Sequence, residues 1–147
     1  MKTLVILSHP DIENSRINKT WKKELENHPE EIQIHELYKE YPDWNIDVKK
    51  EQELLEKYDK IILEFPIYWY NCPPLLKKWL DEVWTFGWAY GPEGNKLRGK
   101  RIGLAVSAGG LETNYTLPLA EILSPFKASI NYVSAEFASY FVLFGTV

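Results

Sequence analysis

The chain has 147 residues, 45% hydrophobic and 26% charged, which is the composition of one globular domain and not of a disordered segment. With 17 Lys and Arg against 21 Asp and Glu the net charge is −4 and the pI about 5.4, which excludes the basic footprint of a nucleic-acid binder. A single cysteine, Cys72, excludes an internal disulfide and a cysteine zinc cage, the 3 histidines lack metal-ligand spacing, and no apolar run reaches the roughly 18 residues of a membrane helix.

Thr3–Leu7 reads as a buried strand. Its apolar run is too short for a secretory core of roughly 7–15 residues, so the expected location is the cytoplasm. The glycosylation patterns at Asn18-Lys19-Thr20 and Asn114-Tyr115-Thr116 then carry no meaning. Ser15 caps a helix over Arg16–Leu25, with Ile17, Trp21 and Leu25 on one face. Glu31–Leu37 alternates as a second strand, and Asp47 caps a helix running through Lys57. Lys60–Phe65 is a third strand, bounded by Pro66. Pro73-Pro74 opens a helix with Leu75, Leu76, Trp79, Leu80, Val83 and Trp84 as its apolar points. Arg101–Val106 is a fourth strand that runs out at Ser107-Ala108-Gly109-Gly110. Helix follows over Leu117–Leu123 and, after a break at Pro125, on to Tyr132, with a fifth strand at Phe137–Phe144.

Strands alternating with helices predict right-handed crossovers and a doubly wound parallel sheet of five strands in a single domain, residues 1–147. Such a sheet binds its ligand outside the carboxyl ends of the strands, which selects three loops. His9–Asn18 contains neither the glycines of a dinucleotide fingerprint nor a P-loop, but it runs into a helix N-terminus suited to a phosphate. Ser15 there is either part of a phosphate site or an ordinary cap. Pro66–Pro74 carries three consecutive aromatics, Tyr68, Trp69 and Tyr70, which answer to a flat π ligand or to a hydrophobic turn or dimer patch. Cys72 beside them has no histidine to activate it. Ser107–Gly110 allows close backbone approach or is a plain strand-to-helix turn.

The motifs Ser8-His9-Pro10, Ser15 to Asn18, Leu37 to Asp47, Glu51-Gln52, Pro66 to Tyr70, Pro73 to Lys77, Trp79, Asp81, Gly87 to Gly91 and Gly109-Gly110 together resemble the flavodoxin-like NAD(P)H:quinone oxidoreductases. The likeness is strongest to small bacterial members, including ancillary subunits of potassium-efflux antiporters, and it covers almost the whole chain. It implies a homodimer that binds FMN, or FAD as in longer relatives, and uses NAD(P)H to reduce a quinone-like acceptor by two-electron transfer. Carried over by position, the cofactor contacts are His9, Ser15, Arg16, Ile17, Asn18, Pro66, Ile67, Tyr68, Trp69, Tyr70, Ser107, Ala108, Gly109 and Gly110. Tyr115 takes the place of a tyrosine that contacts the reduced flavin or the quinone, and Trp88 and Tyr90 form an aromatic wall lent to the partner subunit's pocket. Trp84 and Phe86 join them as a surplus of aromatics that a symmetric interface would bury.

Three departures stand out. Ala108 replaces a hydroxyl residue, so its contact is expected through backbone only. Glu121 replaces the histidine of a Tyr–His relay. The chain stops at Val147, where relatives continue with a loop and a final helix that covers one sheet face, so an exposed apolar face is expected. Other uses of the fold are a regulatory subunit docked on an antiporter or a one-electron carrier.

Overall fold

In a computed structural model describing residues 2–146, five parallel strands form one sheet in the order β2-β1-β3-β4-β5. They are β1 (Thr3–Leu7), β2 (Ile32–Glu36), β3 (Lys60–Pro66), β4 (Arg101–Ser107) and β5 (Glu136–Leu143). The helices are α1 (Arg16–Glu26), α2 (Leu37–Glu40), α3 (Val48–Glu56), α4 (Pro74–Val83), α5 (Leu119–Ile122) and α6 (Ser124–Tyr132), with single 3₁₀ turns at Ile12–Asn14 and Glu112–Asn114. From β1 the chain moves to β2 on one side and then to β3 on the other. The point where strand order reverses therefore lies between β1 and β3.

Alternate residues of the strands feed the two faces differently. Leu4, Ile6, Ile61, Leu63, Phe65, Ile102, Leu104 and Val106 pack into a core with Leu55 of α3, Leu75, Leu76, Trp79 and Val83 of α4, and Phe126 and Ile130 of α6. Among the described residues, α1 is the helix that meets the opposite face. Beside it Val5, Trp21, Leu25, Ile62, Glu64, Ala105 and Phe141 line an apolar groove of about 220 Å³, and Phe141 is 58% exposed.

Two local features differ from the sequence reading. Leu37 does not end a strand but starts the one-turn helix α2, which brings Tyr41 back toward α3. The reason is a buried carboxylate. Glu51 accepts hydrogen bonds from His35 Nε2 (2.9 Å), Tyr41 Oη (2.7 Å) and Trp79 Nε1 (2.9 Å), so one side chain ties β2, α2, α3 and α4 together. Burial alone would raise the Glu51 pKa, but these donors, His35 foremost, outweigh it and hold it below the ordinary range. In β5 an extra residue bulges opposite Gly103, where a Cβ would stand 3.0 Å from the Ser139 carbonyl. The bulge shifts the alternation, so Phe141 pairs with Ala105 and reaches the second face, against Trp21 at 5.8 Å.

Glu64 shows the opposite electrostatic case. It is 2% exposed in the apolar groove, its Oε2 has no partner, and desolvation, with a smaller contribution from Glu36, pushes its pKa up to about 8. The folded state thus holds a proton that the unfolded chain releases near 4.5. Stability must fall as pH rises from about 4.5 to about 8, because only the native state remains protonated across that window. Glu64→Gln should therefore raise the melting temperature at pH 8 while leaving it nearly unchanged at pH 4.5. Thermal denaturation across this range checks it, and an equal effect at both pH values would contradict it.

Candidate active site

The site is built at the carboxyl ends of the three central strands. After β1, His9 Nδ1 accepts the Asp11 amide at 2.9 Å, which leaves its proton on Nε2, and partial burial lowers its pKa. Ser15 is the N-cap of α1, its hydroxyl accepting from the Asn18 amide at 3.1 Å. Arg16 and Ile17 keep free amides in the first helical turn, where the helix dipole favours an anion. Asn18 is buried; its Nδ2 donates to Ser107 Oγ at 2.8 Å and so joins the first loop to the third. Asn18 Oδ1 and Ser8 Oγ are buried without partners.

After β3 the backbone makes a two-residue reversal. The Tyr68 amide donates to Asn71 O (2.8 Å) and the Asn71 amide to Tyr68 O (3.0 Å), with Trp69 and Tyr70 between them at φ 48° and 63°. Turns of this mirror-image form ordinarily take Asn-Gly, since two consecutive positive φ angles are costly for residues with a Cβ. Bulky aromatics hold them here, and solvent gains no shelter from the arrangement, for Trp69 is 93% and Tyr70 56% exposed. Strain of this kind, about 1–3 kcal/mol per residue, concentrates at ligand sites.

After β4 the sequence-predicted residues divide. Ser107 is buried, its carbonyl accepting the Ile67 amide and its hydroxyl accepting from Asn18. Ala108 is fully buried, and the expected backbone contact is not available: its amide donates to Leu143 O and its carbonyl accepts from Thr146. The parallel pairing of β5 with β4 has consumed both groups. Pro66 is likewise buried inside β3. All three are buried, and of them Ala108 has both its amide and its carbonyl taken by the chain. Gly109 and Gly110, in contrast, have free amides.

Ile67, Trp69, Tyr70, Gly109, Gly110, Asn114 and Tyr115 enclose a cleft of about 310 Å³. Among the described residues, no protein acceptor takes the amides of Trp69, Tyr70, Gly109 or Gly110. Four donors line a cleft whose other walls are aromatic. Tyr115 crosses Tyr70 edge to face at 5.8 Å and leans on Phe144 at the same distance. Burial raises its phenol pKa, so it remains a neutral donor. Asn114 is a member of the cleft that the sequence motifs did not single out. Cys72 is buried, with its thiol pushed up to about 11, and is no nucleophile.

The aromatic strap after α4 behaves differently from expectation. Gly87 and Gly91, at φ 81° and 82°, fold it back on itself through the Phe86–Tyr90 bridge. Trp84 and Trp88 are thereby buried in the core of their own protomer, each with an unpartnered indole N–H. Trp88 therefore does not stand out as a wall for a partner; Tyr90 stays half-buried against Tyr132, and Phe86 is 68% exposed. Trp84, Tyr90 and Tyr132 border a groove of about 530 Å³ between α4 and α6, separate from the cleft. The described residues contain no cluster suited to a metal and no helix long and apolar enough to cross a membrane.

The fold recurs in known proteins. The chain is 45% identical to the uncharacterized NAD(P)H oxidoreductase YrkL of Bacillus subtilis, over all of this chain (100%) and 87% of that one. The crystal structure of general stress protein 14 from Treponema denticola in complex with FMN superposes with a TM-score of 0.96 at 45% identity, covering 98% of this chain and 86% of that one. An NADPH-quinone reductase structure from P. pentosaceus gives a TM-score of 0.89 at 32% identity, over 99% and 86% of the two chains. The flavodoxin-like fold family matches residues 1–147, and the chain belongs to it.

Proposed function

We propose that this protein is an FMN-dependent NAD(P)H oxidoreductase that passes two electrons to a quinone or a similar flat acceptor. The observation that carries the reading is the set of four unpaired amides in an aromatic cleft beside a helix N-terminus. The residues present fit FMN. The buried, unpartnered Ser8 Oγ, whose hydroxyl can donate, stands at the phosphate end, and a strained turn faces the ring end.

When bound, FMN supplies a ring that takes two electrons from a nicotinamide and yields them to an acceptor. The protein's part is binding, orientation and electrostatics. Ser15 and the amides of Arg16 and Ile17 hold the phosphate, with the α1 dipole in support. The amides of Trp69, Tyr70, Gly109 and Gly110 donate to the polar edge of the ring, where negative charge grows on reduction. Tyr70 and Tyr115 provide apolar walls, and the Tyr115 hydroxyl donates to a carbonyl oxygen. Trp69 and Tyr70 leave the cleft open to water in one protomer. A second copy docked along Phe86, Tyr90 and Tyr132 would bury these partly exposed aromatics.

Anaerobic mixing of the FMN-loaded protein with NADPH or NADH should bleach the flavin absorbance, and adding a benzoquinone should restore it. Protein that binds no FMN, or whose FMN neither nicotinamide bleaches, would overturn the reading. A second test addresses the turn. Replacing Trp69→Asn together with Tyr70→Gly installs the residues that positive φ prefers, and should stabilise the FMN-free protein by about 1–2 kcal/mol. The same double variant should weaken FMN binding at least tenfold, because the stacking surface is gone. Denaturant titration and flavin fluorescence quenching measure the two effects; loss of stability with unchanged FMN affinity would contradict it.

A further inference from the structure

Asn114 sits at the end of the 3₁₀ turn that follows Gly109-Gly110 and contributes to the wall of the cleft. Its side chain is fixed at one end only. Oδ1 accepts the Leu111 amide at 2.9 Å, and the same carboxamide packs beside Gly110, whose missing Cβ would lie 3.7 Å from that oxygen. With the oxygen engaged, the amide orientation is settled and Nδ2 is the free end. No protein acceptor takes it among the described residues, and it neighbours Tyr115, another side-chain donor of the cleft. A mere cap for the Leu111 amide would be served equally well by aspartate, which lacks any N–H to give.

Resting on the reading of the cleft as a flavin site, we propose that Asn114 is a catalytic residue whose Nδ2 donates, beside the Tyr115 hydroxyl, to a carbonyl oxygen that gains negative charge on reduction. Two sources share that chemistry: the carbonyl edge of the flavin and the carbonyl of a quinone acceptor. In either case the donor is worth more to the reduced than to the oxidised partner, and this difference separates it from a structural role.

The test uses Asn114→Ala, which removes cap and donor, and Asn114→Asp, which keeps the cap and removes the donor. If the carbonyl is the flavin's, Asn114→Ala should bind reduced FMN about tenfold more weakly relative to oxidised FMN, which lowers the two-electron midpoint potential by about 30 mV. Asn114→Asp should lower it at least as far, while its FMN-free form melts like wild type. If the carbonyl is the acceptor's, the potentials stay put. In that case both variants should lose about tenfold in the rate constant for quinone reduction, with flavin reduction by NADPH unchanged. A structural cap predicts something else: Asn114→Ala loses thermal stability and binds both redox forms of FMN equally less well, and Asn114→Asp matches wild type in every measurement. That pattern overturns the proposal. Wild-type protein that binds no FMN would overturn the reading beneath it, and the proposal with it.

Discussion

The site depends on a tight backbone reversal that its own residues resist. Trp69 and Tyr70 occupy two successive positive-φ positions, held by the reciprocal hydrogen bonds of Tyr68 and Asn71. In return the turn presents two backbone amides and two aromatic rings at the end of β3, adjacent to the strand-order reversal. The neighbouring loops supply complementary parts. The first gives a capped helix N-terminus, and the third gives two glycine amides supported by Ser107, whose hydroxyl accepts from Asn18, and by Ala108, whose amide and carbonyl are both bonded. Donors aimed by a rigid sheet need little reorganisation when charge develops in the cleft, which is the physical basis of electrostatic preorganisation.

Two buried glutamates show how the fold manages charge around this site. Glu51 is surrounded by His35, Tyr41 and Trp79, so burial strengthens its bonds and the carboxylate fixes where β2, α2, α3 and α4 meet. Glu64 lies on the face that α1 meets, without a donor, and desolvation decides its ionisation. The difference is partner supply: one face carries α3, α4 and α6, the other α1 and an apolar groove.

The alternation of apolar runs with amphipathic stretches was sufficient to read the five strands, their parallel arrangement and the three loops at their carboxyl ends. Period and burial are local signals. What depends on pairing partners was not legible. Leu37 reads as strand by alternation, but the pull of Tyr41 toward Glu51 makes it helical. The β5 bulge follows from the lack of a side chain at Gly103, and it alone sends Phe141 to the second face. The sequence motif points to Ala108 as a contact, whereas β5 occupies its amide and carbonyl. Trp88 reads as a surplus aromatic, and two glycine turns fold it into its own core. Asn114 is fixed at the wall of the cleft by its bond to the Leu111 amide, and no periodicity reports that.

Under the proposed function, the unpaired amides of Trp69, Tyr70, Gly109 and Gly110 are the donors that recognise the ring. Amide chemical shifts of isotope-labelled protein during an FMN titration test this most directly. The largest perturbations should fall on these four amides and on those of Arg16 and Ile17, with the amides of Ala108 and Ser107, already bonded within the sheet, moving far less. Saturable FMN binding that leaves those four amides unmoved and instead shifts the groove between α4 and α6 would contradict it.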